Sequence, residues 1–450
     1  MKDTWYIRGG RLIDPLTGRD EAGDLYVENG VIAPLPARPP DWSGAGGTAR
    51  PSCDVPEVDA RGLVVVPGFV DLHVHFREPG NEEDETIESG SRAAARGGFT
   101  TVVTMPNTDP PIDPPERVTQ ILACCGKSDV RIMIAGCISR GRLGKELADL
   151  PEMSRAGAIA FTDDGSTSTD EGMMARAMDI AKKLDTPILD HALDPSLAGK
   201  GVMHEGAISA RFGMPGIPAR AEAKIVERDL RLSEQTGCAI HIQHVSTTEC
   251  VNIIRSGLER GLRISGEVTP HHLALTDSDV SPDNTNFKMN PPLRTSEDRQ
   301  ALRSAVADGT LQAFATDHAP HCRAKKEKGF IRSPFGVVGL ETAVGITYSL
   351  MVKSGLMNIM EWVHRWTIGP ARVLGMEPPG LSIGLSANFS ILDLDSEWII
   401  RSDDFFSKSR NTPFEGHKVT GRAICTFCRG VMTWDGRARG NDAVDTCGRL

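Results

Sequence analysis

A chain of 450 residues, 40% hydrophobic and 24% charged, carries enough apolar material for a sizeable core and is too ordinary in composition for wholesale disorder. A formal net charge of −10 leaves no broad basic field for a phosphate backbone, which excludes nucleic acid as an expected partner. No run of about 18 apolar residues occurs and the start, Met1-Lys2-Asp3-Thr4-Trp5, lacks a signal-type apolar stretch, so no membrane contact is expected and residence in the cytoplasm is.

The first segment, Trp5 to about Ile32, reads as short strands with turn signals at Gly9-Gly10 and Asn29-Gly30. Pro36 to Pro56 is rich in Pro, Gly, Ala and Ser without periodicity and reads as a surface excursion. From Leu63 short apolar runs alternate with amphipathic or Ala-rich stretches. The strands are expected at Phe69–Leu72, Thr100–Met105, Val130–Ala135, Ala158–Phe161, Pro187–Asp190, Ala239–Gln243, Arg263–Val268 and Ala313–Thr316. Helical patterns between them include Glu85–Arg96, stopped by Gly97-Gly98, and Gly172–Leu184. Eight strands in such alternation fit a TIM-type (β/α)8 barrel, with an open doubly wound sheet as the alternative. From about Ala387 strands return at Asn388–Leu392, Trp398–Ile400 and Val419–Arg422. They are expected to join the N-terminal strands in a small β-sandwich domain built from both termini. The divisions follow as 1–62, 63–386 and 387–450, the barrel being the middle one. The ten cysteines are scattered, which favours free thiols. Cys425 and Cys428 form a lone CxxC on a strand-like stretch, with no second pair to complete a zinc site.

His73 and His75 stand two residues apart at the end of the first barrel strand, so period-two alternation turns both imidazoles to one side. Other strands end in Asp163-Asp164, in Asp190-His191, in Gln243-His244 and in Thr316-Asp317-His318. The C-terminal mouth of a βα barrel gathers catalytic groups, and imidazole with carboxylate suits zinc and its first-row neighbours. Spacing alone leaves open which of Asp163 and Asp164 bridges two ions. Asp71 stands either behind His73 or as a strand cap.

The stretch Pro67-Gly68-Phe69-Val70-Asp71-Leu72-His73-Val74-His75-Phe76-Arg77-Glu78-Pro79-Gly80 resembles the opening signature of dihydroorotases of the bacterial class I type, within the amidohydrolase superfamily. Agreement continues through Met105 to Thr108, Phe161 to Gly165, Glu267 to His272, Lys288 to Arg294, Ala315 to His321, Pro334 to Gly336, Gly339 to Thr342 and Asn411 to Phe414. The resemblance implies a cyclic amidohydrolase that interconverts carbamoyl aspartate and dihydroorotate, with two divalent ions, of which zinc is favoured. It makes His73, His75, Asp164 and Asp317 ligands of one ion, and Asp164, His191 and His244 ligands of the other. Asp317 would also shuttle the proton. Around the small-molecule substrate it sets His75, Arg77, Asn107, Asn290, His321, Phe335 and Gly336. It further implies a homodimer and association with aspartate carbamoyltransferase. Many amidohydrolases bridge their metals through a carboxylated lysine, and the fourth strand here has none, which argues against a hydantoinase. Three departures stand out: His191 is followed by Ala192-Leu193-Asp194 where an acidic pair is common, Pro36 to Pro56 is longer than the family needs, and the tail after Trp434 has no counterpart. His271 and His272 are read as structural, and His204 and His364 without a function.

Overall fold

Residues 3–36 and 55–437 are described by the computed structural model of the chain. Most of the excursion expected between Pro36 and Pro56, and the end of the tail, lie outside these residues. The N-terminal strands are β1 (Trp5–Asp14), β2 (Arg19–Glu28), β3 (Val31–Ala33), β4 (Glu57–Asp59) and β5 (Val64–Pro67). The chain then turns into the barrel at Gly68, where a Cβ would lie 2.2 Å from the Thr100 side chain, so only glycine fits.

Eight strands form the barrel: β6 (Phe69–Val74), β7 (Phe99–Thr104), β8 (Arg131–Gly136), β9 (Ala158–Phe161), β10 (Ile188–Asp190), β13 (Ile240–Ile242), β14 (Ile264–Val268) and β15 (Ala313–Phe314). The short pair β11 (Met203–His204) and β12 (Gly216–Ile217) stands apart. Every neighbouring barrel pair is parallel. Such strands are covered on both faces, which is why β6 and β7 are buried along their whole length. The first and last strands meet where His75 N–H donates to the His318 carbonyl at 2.9 Å and Val74 bridges His318. Asp71 reinforces that seam: its carboxylate accepts from the Thr316 backbone N–H and hydroxyl, and from the His73 backbone N–H. It therefore neither orients the His73 ring nor caps the strand.

Helices supply the outer layer. Ile87–Arg96 begins at a Thr86 and Ser89 capping box and ends at Gly97, close to the expected bounds. Glu171–Lys183 starts on the Asp170 side chain. Val70, Leu72, Val103, Met105, Met133 and Leu189 fill the barrel interior, so the mouth is a site on a packed core rather than a pore.

The two termini share one eight-stranded sheet. The C-terminal strands β16 (Phe389–Ile399), β17 (Lys418–Cys428) and β18 (Val431–Asp435) join it through the antiparallel pairing of β16 with β5, in which Ile391 faces Val65. The segments expected as Asn388–Leu392 and Trp398–Ile400 are one strand. Its register with β17 shifts twice, between Ile391 and Leu392 and again between Asp393 and Glu397, where the Asp393 carboxylate accepts from the backbone N–H groups of Asp395 and Ser396. Cys425 and Cys428 lie on β17 as buried free thiols, and all eight cysteines among the described residues are unbridged.

Candidate functional site

Five of the eight barrel strands deliver imidazoles or carboxylates at their C-terminal ends, and these gather at one cavity of about 350 Å³. His73 is the penultimate residue of β6 and His75 follows the strand. Asp164 comes after β9, His191 after β10, His244 after β13 and Asp317 after β15. His244 and Asp317 hold left-handed backbone, φ 34° and 46°, a conformation that costs energy for non-glycine residues and turns their side chains off the strand direction into the opening.

Asp164 stands among four imidazoles. Its carboxylate oxygens lie 3.3 Å from His73 Nε2, 3.4 Å from His75 Nε2, 3.4 Å from His191 Nδ1 and 3.8 Å from His244 Nε2. Asp317 Oδ1 is 3.0 Å from His75 Nε2 and 3.5 Å from His73 Nε2. His191 Nδ1 and His244 Nε2 are 2.8 Å apart. Asp163 plays a different part, since it accepts from the backbone N–H groups of Ile138 and Ser139 and from the Ser139 hydroxyl. Its carboxylate is spent on holding the loop after β8, and Asp164 alone of the two faces the imidazoles.

The donor set fits metal. His73 Nε2 and Asp164 Oδ1 are buried, 3.3 Å apart, and neither makes a hydrogen bond among the described residues. Two donors on one tetrahedral zinc, with bonds of about 2.0–2.1 Å, stand about 3.3–3.4 Å apart, which is the spacing of Asp164 to His73, His75 and His191. Among the described residues two groups satisfy a metal-ligand geometry, His73 with Asp164 and His244, and His73 with His75 and Asp317. Burial holds the imidazoles of His75 and His191 below their ordinary pKa, in the neutral form that ligates a cation. Burial acts on His73 in the same sense, but Asp164, Glu267 and Asp317 outweigh it and raise its proton affinity, and the same negative field attracts a divalent ion. Burial also opposes ionisation of Asp164, yet His73 and His75 hold it well below the carboxylate range.

Hydrogen bonds behind the donors fix the ring orientations. His73 Nδ1 meets Glu267 Oε1 at 2.7 Å, and His75 Nδ1 meets Asn107 Oδ1 at 2.8 Å, so both Nε2 atoms face the centre. Asn290 Nδ2 lies 3.2 Å from His191 Nε2. Glu267 escapes a reading of spacing because it lies within a strand; the available signal was a carboxylate inside an otherwise apolar run. Glu267→Gln is expected to keep the fold and weaken metal affinity by about 10–100-fold, the range for such supporting partners. Metal titration monitored by competition with a chelator measures it, and wild-type affinity would reduce Glu267 to a packing role.

Arg77, Asn107, Asn290, His321, Phe335 and Gly336, singled out from sequence, all line the cavity, and Arg142 joins them unannounced. Arg77 is buried, with Nε donating to the Pro320 carbonyl and Nη2 3.4 Å from His321 Nε2. Arg142 bonds the Asp164 carbonyl from the loop after β8. Gly336 has φ +133°, and a Cβ there would stand 2.8 Å from the Ala319 carbonyl oxygen, so glycine lets this loop close over the mouth. Asp194 does not replace an acidic partner of His191, because it caps the helix Pro195–Ala198 and pairs with Lys224. His272 is tied to Thr269 and the Pro291 carbonyl, whereas His271 Nε2 is buried without a partner. His204 contacts Arg294.

Residues 62–250 match the family described as dihydro-orotase-like. A dihydroorotase of Anaeromyxobacter dehalogenans is 44% identical over 433 residues, 96% of this chain and 98% of that protein. A dihydroorotase of Pelotomaculum thermopropionicum is 42% identical over 431 residues, again 96% and 98%. Among solved structures, an L-hydantoinase from Arthrobacter aurescens superposes with a TM-score of 0.82 over 96% of both chains at 24% identity, a likeness of fold alone.

Proposed function

Since the chain belongs to the dihydroorotase family, it is a metal-dependent cyclic amidohydrolase that interconverts N-carbamoyl-L-aspartate and L-dihydroorotate in pyrimidine biosynthesis, and we propose the following division of labour among its residues. His73, His75, Asp164 and Asp317 hold one divalent ion, and His191, His244 and the shared Asp164 hold a second. Zinc suits these imidazole and carboxylate donors. The observation that carries the reading is Asp164, with its unpartnered Oδ1 inside a ring of four imidazoles. Such a pair of ions polarises an acyl oxygen and makes water nucleophilic near neutral pH.

The protein groups do the rest. Ring opening adds water to the amide carbonyl carbon and breaks the ring C–N bond. Asp317, at the mouth, takes the proton of the attacking water and returns it to the departing ring nitrogen; ring closure runs the same transfers backwards. Arg77 holds the carboxylate that does not react, for which its planar fork is suited, with Asn107 and Asn290 beside it. His321, whose Nε2 meets the Phe335 carbonyl at 2.9 Å, ties the Phe335-Gly336 loop over the substrate. We propose that the enzyme works in the cytoplasm as a homodimer and associates with aspartate carbamoyltransferase.

The direct test is turnover of dihydroorotate and of carbamoyl aspartate by the purified chain, with metal content measured in the same sample. Close to two ions per chain and turnover in both directions are expected; activity confined to hydantoins would overturn the reading. Arg77→Lys keeps the charge and loses the fork, so kcat/KM is expected to fall at least about tenfold with metal content intact. A value near wild type would leave Arg77 a mere buried cation.

A further inference from the structure

The barrel has a second cavity, of about 390 Å³, at the opposite end from the mouth, where β10, β13, β14 and β15 begin. Its lining is strongly cationic in a chain whose net charge is −10. Lys182, Arg263, Arg365 and Arg372 surround it against a single carboxylate, Asp185, which is itself largely exposed and 3.7 Å from Arg263. Among the described residues the Arg372 guanidinium makes no ion pair or hydrogen bond, and Arg365 spends only part of its guanidinium, donating to the Val306 carbonyl and approaching His364 Nδ1 at 3.1 Å. Burial, with Arg365 and Arg372, holds the His364 imidazole down to about 4, so at neutral pH it faces the cavity uncharged. The wall between the cations is apolar, formed by Pro187, Ile240, Ile264 and Val373. Concave apolar surface with a few convergent polar groups is the usual form of a small-molecule site, and cations on several sides suit a multiply charged head.

The same cavity touches a hydrogen-bonded chain that runs the length of the barrel. Ser265 Oγ lies 2.8 Å from His241 Nδ1, and His241 Nε2 lies 3.0 Å from Glu267 Oε2. The other Glu267 oxygen meets His73 Nδ1 at 2.7 Å. Ser265 and His241 both line the floor cavity.

We propose that the floor cavity is a second ligand site, for a phosphate-bearing small molecule of mononucleotide size, whose occupancy reaches the catalytic mouth through Ser265, His241 and Glu267. The phosphate sits among the four cations and the organic body lies on the apolar wall. An occupant that engages Ser265 alters the bond Ser265 makes to His241, and with it the support that Glu267 gives His73.

The test is calorimetric titration of the metal-loaded enzyme with AMP and with inorganic pyrophosphate, against sulfate at matched ionic strength. Saturable binding of one AMP per chain is expected, together with at least a twofold change in kcat or KM for ring opening. Arg263→Glu combined with Arg372→Glu, at two exposed positions, is expected to weaken binding at least about tenfold through like-charge repulsion while unliganded activity stays at the wild-type level. No heat of binding, equal binding of sulfate, or binding untouched by the charge reversal would overturn the site. Binding without any kinetic change would overturn the coupling. The kinetic half rests on the dihydroorotase reading and the calorimetric half does not, so failure of one is distinguishable from failure of the other.

Discussion

Asp317→Asn is expected to keep its metal and to lose at least about 10²–10⁴-fold in rate, the contribution of a positioned acid or base, in ring opening and ring closure alike. The residue follows β15 in left-handed backbone, buried, with Oδ1 3.0 Å from His75 Nε2 and on the cavity wall. Burial opposes its ionisation, but His73 and His75 hold it well below the usual carboxylate range, so it starts each opening cycle as the anion that can accept a proton. Asparagine preserves the size and one oxygen donor, which leaves a ligand and removes a base. The competing view makes Asp317 a ligand only. Microscopic reversibility separates the two, because one group acting as base in opening and acid in closure must fail in both. A variant that retains its metal and runs either direction within about tenfold of wild type, below the range for a lost acid or base, would eliminate Asp317 as the shuttle.

Removal of Asp164 is expected to be the more damaging change. With its carboxylate within 3.8 Å of four imidazoles, Asp164→Ala takes a donor from both ion positions at once and leaves four histidines facing one another. Metal content is expected to fall from near two per chain, with a loss of activity larger than the ~10–100-fold typical of supporting partners. Asp163→Ala supplies the contrast. It strips an acceptor from Ile138 N–H, Ser139 N–H and the Ser139 hydroxyl, so it is expected to cost about 1–3 kcal/mol of stability while metal content holds. Metal analysis and thermal denaturation of both variants check this. A single ion, unaffected by Asp164→Ala, would end the shared-ligand assignment.

The barrel was legible because its strands are buried on both faces and so read as short apolar runs, and His73 and His75 were legible because a strand alternates with period two. Asp163 and Asp164 were not separable, since spacing says nothing about which carboxylate the neighbouring loop consumes; the amides of Ile138 and Ser139 decide that. Arg142 was hidden for a related reason. It sits on an irregular loop, at φ 57°, and reaches Asp164 only through the fold. The Lys-rich stretch between Cys322 and Ser333 suggests a loop without order of its own. In the structure it carries a helical turn, Arg323–Lys326, and Lys326 is buried with its ammonium on the carbonyls of Pro334 and Gly336. Long-range satisfaction of a lysine by backbone leaves no local mark in sequence. Glu267 and His241 were passed over because each is a single ionisable residue within its short strand, with no second histidine or carboxylate two positions away to mark a face.

The seam between β6 and β15 has a bearing on how the molecule is made. Asp71 and Thr316 are separated by 245 positions, and the backbone bond from His75 to His318 spans a similar distance. Contacts of that sequence separation carry a large chain-closure entropy and tend to form after local strand and helix pairs have assembled. His73 and His75 belong to one side of the seam and Asp317 to the other. The proposed catalytic centre therefore comes into being only when the last strand docks on the first. Chains whose barrel has not closed cannot assemble it, and the onset of metal uptake during refolding serves as a clock for closure of the barrel.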